Sequence, residues 1–206
     1  ALVEDLVIES SCTFVGANVG ALAVSTEGNV TLSNVKTHAT ISGTNLCGGL
    51  FGDSRSLVVE HCVSQVNITG ACYSTGGLVG FINIQGSEKV TIHESTSNSS
   101  ISSQTKSPLG GLIGKLSLDL NAVCEIIQST SDCDLTGSYV GGFIGECSSS
   151  SVVMVENCTN HGDITSQKNG SFIGGFFGRT SLSKKALLMV KNSLNMGNMQ
   201  GLHVSV

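Results

Sequence analysis

Apolar residues recur along this chain as short doublets and triplets set between glycine, serine and asparagine, and one pentapeptide carries the rhythm. It reads GGLFG at 48–52, GGLVG at 76–80, GGLIG at 110–114, GGFIG at 141–145 and GGFFG at 174–178, with a decayed copy, GALAV, at 20–24. After each copy comes a polar corner and then a strand-like run such as Leu57-Val58-Val59 or Val152-Val153-Met154-Val155. A polar-flanked hydrophobe follows, as in Asn67-Ile68-Thr69 and Asp163-Ile164-Thr165. Three short β-type segments per repeat, with no sustained 3.6-residue period, predict a three-sided coil. Coils starting near 20, 48, 76, 110, 141 and 174 run 28–34 residues, a variation that suits corners accepting insertions. The expected fold is all-β: a parallel β-helix, or β-solenoid, of about six coils forming one domain over 1–206. Residues 1–19 read as the last two sides of a preceding coil, 201–206 as the start of another, and the whole as a fragment of a longer solenoid.

Stacking places each residue about 4.8 Å from its counterpart one coil along, so vertical columns should be chemically alike. Ile41, Ile68, Ile101, Leu135, Ile164 and Met199 form one such column, expected to face inward. Val35, Cys62, Ser95, Ser129, Cys158 and Ser193 form a second, slim enough for a tight interior corner. Ser42, Thr69, Ser102, Thr136 and Thr165 flank the inward column and should point out as a hydroxyl ladder, either plain solvated strand or a face for ice or glycan. In a regular strand the two pentapeptide hydrophobes face opposite sides. If Leu50, Leu78, Leu112, Phe143 and Phe176 line the core, then Phe51, Val79, Ile113, Ile144 and Phe177 make an exposed stripe suited to a partner or to self-association. The alternative is that the flanking glycines bend the strand so that both columns go inside, or that a neighbouring segment covers the sheet.

Composition narrows the possibilities. Charged residues are 12% of the chain and apolar ones 40%, too apolar for a disordered tail. A net charge of −5 with ten scattered Lys and Arg offers no basic face, which argues against nucleic acid as a partner. No apolar run approaches the ~20 residues that cross a bilayer. Eight cysteines, and acceptor sequences for glycosylation at Asn29, Asn67, Asn98, Asn157 and Asn169, favour an extracellular or cell-surface setting. Cys47 with Cys72, and Cys124 with Cys147, fall near matching or adjoining corners and are the pairs to consider for disulfides, against reduced, buried thiols.

No catalytic constellation is read. Asp53, Phe81, Lys115, Glu146 and Arg179 follow the pentapeptides without pairing two acids in adjacent coils, and Glu60, Glu94 and Asp132 are spread. The five histidines, His38, His61, His93, His161 and His203, fall at different or non-adjacent positions, and no C-x-x-C pair occurs, so zinc spacings are missing. The segment 110–115 lacks the first glycine and the Ser/Thr of a phosphate-binding loop. No cofactor is implied.

The phrase Glu-Asn-Cys-Thr-Asn-His-Gly-Asp-Ile-Thr (156–165), followed by Phe-Ile-Gly-Gly-Phe-Phe-Gly (172–178), resembles the GLUG-motif repeats of bacterial and protist surface proteins. The resemblance runs from about residue 20 to the end and is strongest at the glycine pentapeptide; only the fifth coil carries the full Asn-Cys segment. It implies a β-helical segment of a secreted or surface, adhesin-like protein, and a family without shared catalytic residues. The expected function is accordingly non-enzymatic: a rigid spacer presenting faces or loops such as 84–89, 103–108, 117–122 and 147–151 to a protein or glycan at a surface. The alternative is a carbohydrate-binding or carbohydrate-modifying β-helix, disfavoured by the absence of Trp and the presence of only two tyrosines, Tyr73 and Tyr139.

Overall fold

Each predicted strand lies in a parallel ladder with its counterpart one coil away. The computed structural model describes residues 1–103, 105–166 and 171–201, and the backbone of 204–205. Among these there is no helix, and the chain is a β-solenoid of about six coils. Three parallel sheets form its sides, of eleven, eleven and seven strands. The first begins in the pentapeptide and continues through runs such as Leu57–Glu60, the second holds the Ile41 to Met199 column, and the third holds the two residues before each pentapeptide and its first glycine. Residues 1–16 supply strands to the first and second sheets, Leu2–Glu4 and Val7–Gly16.

Unequal coil lengths have a local cause. Strand Phe51–Glu60 is continuous, but its partner one coil on is split into Val79–Ile84 and Lys89–His93. Phe51 pairs with Val79, 28 residues along, whereas Leu57 pairs with Val90, 33 along, so five residues are inserted at that corner. The expected loop at 147–151 is shorter than read, because strand Ile144–Ser149 occupies most of it.

The corner between the first and second sheets repeats one conformation. Asp5, Asn34, His61, Glu94, Gln128, Asn157 and Asn192 all have φ between 45° and 54°, the left-handed region that Asn and Asp tolerate best. From Asn34 onward the next residue belongs to the predicted slim column, and after Asp5 it is Leu6. Ser95 Oγ donates to His93 O (2.8 Å), Ser129 Oγ to Ile127 O (2.8 Å) and Ser193 Oγ to Lys191 O (2.7 Å). The same hydroxyls accept from the coil before, Cys62 N–H reaching Ser95 Oγ at 3.1 Å and Cys158 N–H reaching Ser193 Oγ at 3.1 Å. Cys62 and Cys158 pack in this turn as expected, with their thiols directed at the carbonyls of Glu60 and Glu156.

Inside, the apolar residues fall into two clusters. One joins Leu50, Phe51, Leu57, Val59 and their counterparts, between the two halves of the first sheet. The other joins Ile41, Ile68, Ile101, Leu135 and Ile164 of the second sheet to Cys47, Leu109, Val140 and Ile173 of the third. Between them runs a narrow waist. There the second glycine of each pentapeptide faces a polar column, the buried Ser64, Ser97, Ser131 and Asn160 and the half-buried Asn195, and a methyl group at Gly77 or Gly111 would run into the serine hydroxyl and the next coil's glycine carbonyl. The double glycine is thus a requirement of close approach.

The exposed-stripe alternative does not hold. Phe51, Val79, Ile113 and Ile144 are buried in the same cluster as Leu50, Leu78, Leu112 and Phe143, and Phe177 is half-buried against it. The reason lies in the hydrogen bonds. In a regular strand successive N–H groups point opposite ways, but here the N–H groups of Leu50 and Phe51 both donate to Leu78 O (2.8 and 3.2 Å). The pattern recurs for Leu78 and Val79 on Leu112 O, and for Leu112 and Ile113 on Phe143 O. The chain turns between two sheets at this point, and both side chains enter the core.

Candidate functional site

The second sheet carries the most regular polar surface. Its inward ladder is buried from Ile41 to Ile164, which forces the residues on either side of each member outward. One outward column is the predicted hydroxyl ladder, Ser42, Thr69, Ser102, Thr136 and Thr165, continued by Gln200; Ser42 pairs with Thr69, Ser102 with Thr136, and Thr165 with Gln200. The other column, not singled out from the sequence, contains Thr13, Thr40, Asn67, Ser100 and Asp134 in register, with Asp163 and Asn198 beyond. Its upper members are linked, Asn198 Nδ2 donating to Asp163 Oδ1 at 3.0 Å and the Asp163 N–H to Asp134 Oδ1 at 3.3 Å.

Beside this face the strand Val63–Gly70 gives way, one coil on, to the shorter pair Thr96–Ser97 and Ser100–Ser102. The interruption opens a shallow cleft of about 400 Å³, lined by Ser10, His38, Gln65, Asn67, Asn98, Ser100, Asp132 and Asp134. Amides, hydroxyls and carboxylates share it with the apolar Ala39 and Val66, and His161 Nδ1 lies 2.7 Å from Asp132 Oδ1 at its margin. Such a surface can hydrogen-bond a polyhydroxylated ligand along several coils. Two glycosylation acceptors, Asn67 and Asn98, line the same cleft. Asn29 and Asn157 are also exposed, while Asn169 lies outside the described residues, as does His203.

Other expectations resolve differently. All eight cysteines are free thiols, seven of them buried and Cys12 half-buried, so of the two readings it is the reduced, buried thiols that the structure contains and neither candidate pair is bonded. Cys47 and Cys72 do meet, both sulfurs crowding the bare face of Gly43, but as hydrogen-bonded thiols. Their mutual hydrogen bond pushes Cys47 above the ordinary thiol range, with burial adding to it, and holds Cys72 down at about 7. Cys124 and Cys147 occupy the first core cluster as packing residues; burial pushes Cys147 up to about 12 and Cys124 upward as well.

Two groupings were not legible in the sequence. His61 and His93 come together around Glu94, with contacts of 3.0 and 3.6 Å, because the left-handed corner turns Glu94 toward both. Among the described residues, however, no three His, Cys, Asp or Glu side chains form a group that could hold a metal. The column Lys115, Glu146, Arg179, read only as lacking an acid pair, is a chain of ion pairs, 3.1 Å from Lys115 to Glu146 and 3.8 Å from Arg179 to Glu146. No described helix is long and apolar enough to cross a membrane. The chain matches no protein-family profile, no curated protein and no solved structure.

Proposed function

We propose that this chain is a non-enzymatic structural and binding segment of a secreted or cell-surface, adhesin-like protein: a rigid solenoid that holds outward faces in fixed register toward a protein or glycan at a surface. The observation that carries this reading is the coil-on-coil register of the second sheet, which repeats the same two outward columns from Thr13 to Gln200. Every backbone group in a ladder of this kind is tied to the next coil, so the face moves as one body and suits a ligand that repeats along its length. The resemblance to GLUG-motif repeats, the exposed acceptors at Asn29, Asn67, Asn98 and Asn157, and the flat polar ladder all favour this setting.

A carbohydrate-binding form of the reading has its own support in the cleft beside the face, whose lining of amides and hydroxyls matches the donors and acceptors of a saccharide. An ice-binding face is the weaker form, because Asp134 and Asp163 interrupt the hydroxyls of the neighbouring column. Glycosylation at Asn67 or Asn98 would cover the cleft. A glycan array run beside a polysaccharide-cleavage assay tests the proposal. Retention of glycans with polymer lengths unchanged is the expected result, and turnover of any saccharide would overturn it.

A further inference from the structure

Two sulfurs meet at the corner between the second and third sheets. Strand Val63–Gly70 ends there, residues 71–73 belong to no strand, and the third sheet resumes at Ser74–Gly76. Cys47 sits in the third-sheet strand Leu46–Gly48, in register with Thr75, so the corner that carries Cys72 lies one coil along from it. Gly43, which pairs with Gly70, supplies the space: a methyl there would strike Cys47 Sγ and come within 3.5 Å of Cys72 Sγ. Both sulfurs converge on the one spot that a side chain at position 43 would fill, and the Cys47 thiol donates a hydrogen bond to Cys72.

The other six cysteines have different surroundings. Cys62 and Cys158 each donate to a carbonyl of their own corner at 3.2 Å, Cys133 donates to Ser97 Oγ at 3.1 Å, and Cys12 is in register with Ala39. Cys124 and Cys147 share the first core cluster, but burial pushes both thiols up, Cys147 to about 12, and keeps them protonated. Cys72 departs from this pattern. The hydrogen bond from Cys47 holds it down at about 7 against the opposing effect of burial, so near neutral pH about half of it is thiolate, the form that attacks a disulfide.

We propose that Cys47 and Cys72 are an oxidisable pair that closes into a disulfide by exchange with a small-molecule disulfide, stapling one coil to the next. The Cys72 thiolate attacks a sulfur of the small disulfide, whose S–S bond breaks, and one small thiolate leaves and takes a proton from solvent. Cys47 then attacks the Cys72 sulfur of the mixed disulfide, its proton passing to the second departing thiolate. Two protein thiols have lost two electrons and two protons, and the small disulfide has become two thiols. Both sulfurs are buried, but access needs only one corner to open. Ala71 and Tyr73 on either side of Cys72 are exposed, and because 71–73 lie in no strand they can swing out with the three ladders intact. The pair lies inside the coil, so the proposal stands apart from what the outer faces bind.

Incubation of the folded, reduced chain with oxidised glutathione, followed by denaturation, alkylation of the remaining thiols and peptide mass mapping, provides the test. One linked pair of peptides carrying Cys47 and Cys72 is expected, with the other six cysteines alkylated. Its rate of formation should rise about fivefold from pH 6 to pH 7 and level off above pH 8, following the Cys72 thiolate. The linked chain should melt roughly 5–10 °C higher than the reduced one, and a reductant should reverse the shift. Cys47→Ser should stop at a single glutathione adduct on Cys72, whereas Cys72→Ser should give neither adduct nor link. Eight alkylated cysteines in the treated native chain, a link that forms only in denaturant, a link between Cys124 and Cys147 instead, or a rate still climbing tenfold per unit to pH 9 would overturn the proposal.

Discussion

At Gly111 the interior leaves no room for a methyl group, because Ser131 Oγ and the carbonyl of Gly142 already occupy the space. Backbone cannot retreat as a side-chain end can, so Gly111→Ala should lower stability by at least ~1–3 kcal/mol, the cost of overpacking. Gly16 meets only ordinary contacts, Val19 Cγ2 at 3.5 Å and Asn18 O at 3.6 Å, and Gly16→Ala should stay within ~0.5 kcal/mol. Urea midpoints of the two variants give the comparison, and equal shifts would contradict the packing account of the double glycine. The pentapeptide was conspicuous in the sequence, but the partner that makes its second glycine necessary was not. Ser64, Ser97, Ser131, Asn160 and Asn195 read as ordinary polar residues, since nothing local marks an inward-facing column of hydroxyls and amides. Cysteine was ambiguous for a related reason: its small volume serves a core as well as its sulfur serves a disulfide, and only burial separates the two.

Among elements, the left-handed corner is the unit that recurs most faithfully. Asn fills it at 34, 157 and 192, but Gln128 occupies it in the fourth coil with φ of 49°. A longer side chain gains none of the local hydrogen bonding by which Asn tolerates this region, so Gln128→Asn should stabilise the chain by about 0.5–1 kcal/mol, despite losing an exposed contact of 3.0 Å to His93. Thermal melting measures it, and a lowered Tm would show that the contact outweighs the backbone. Strand parity was readable wherever a single hydrophobe sat between polar neighbours. Ile101 and Thr136 lie on the sides that alternation predicts. Parity failed at Leu50 and Phe51, where two N–H groups share one carbonyl and alternation does not apply.

For the whole molecule, six coils at about 4.8 Å make a rod of ~30 Å whose interior holds thiols raised by burial. Burial holds Cys147 at about 12 against an ordinary value of 9.0, and Cys124 is raised by the same cause. An unfolded chain therefore releases these protons first. Stability from the buried thiols is complete below about pH 9 and is lost as pH climbs toward 12, so Tm should fall over that window. Cys147→Ser should flatten the fall, and an unchanged alkaline slope would count against it. The sequence by itself determined the coil, its approximate period, the inward isoleucine ladder and the slim corner column. Parallel stacking repeats one position at each step, so vertical neighbours follow from aligning the repeats. Only the tertiary structure decided that the apolar core divides into two clusters, that the second hydrophobe of each pentapeptide is inside, and that Lys115 and Arg179 lie over the rings of Tyr73 and Tyr139. Those relations join non-equivalent columns on different sides of the coil, and the angle between the sides is set by glycine contacts that alignment along the rod does not encode.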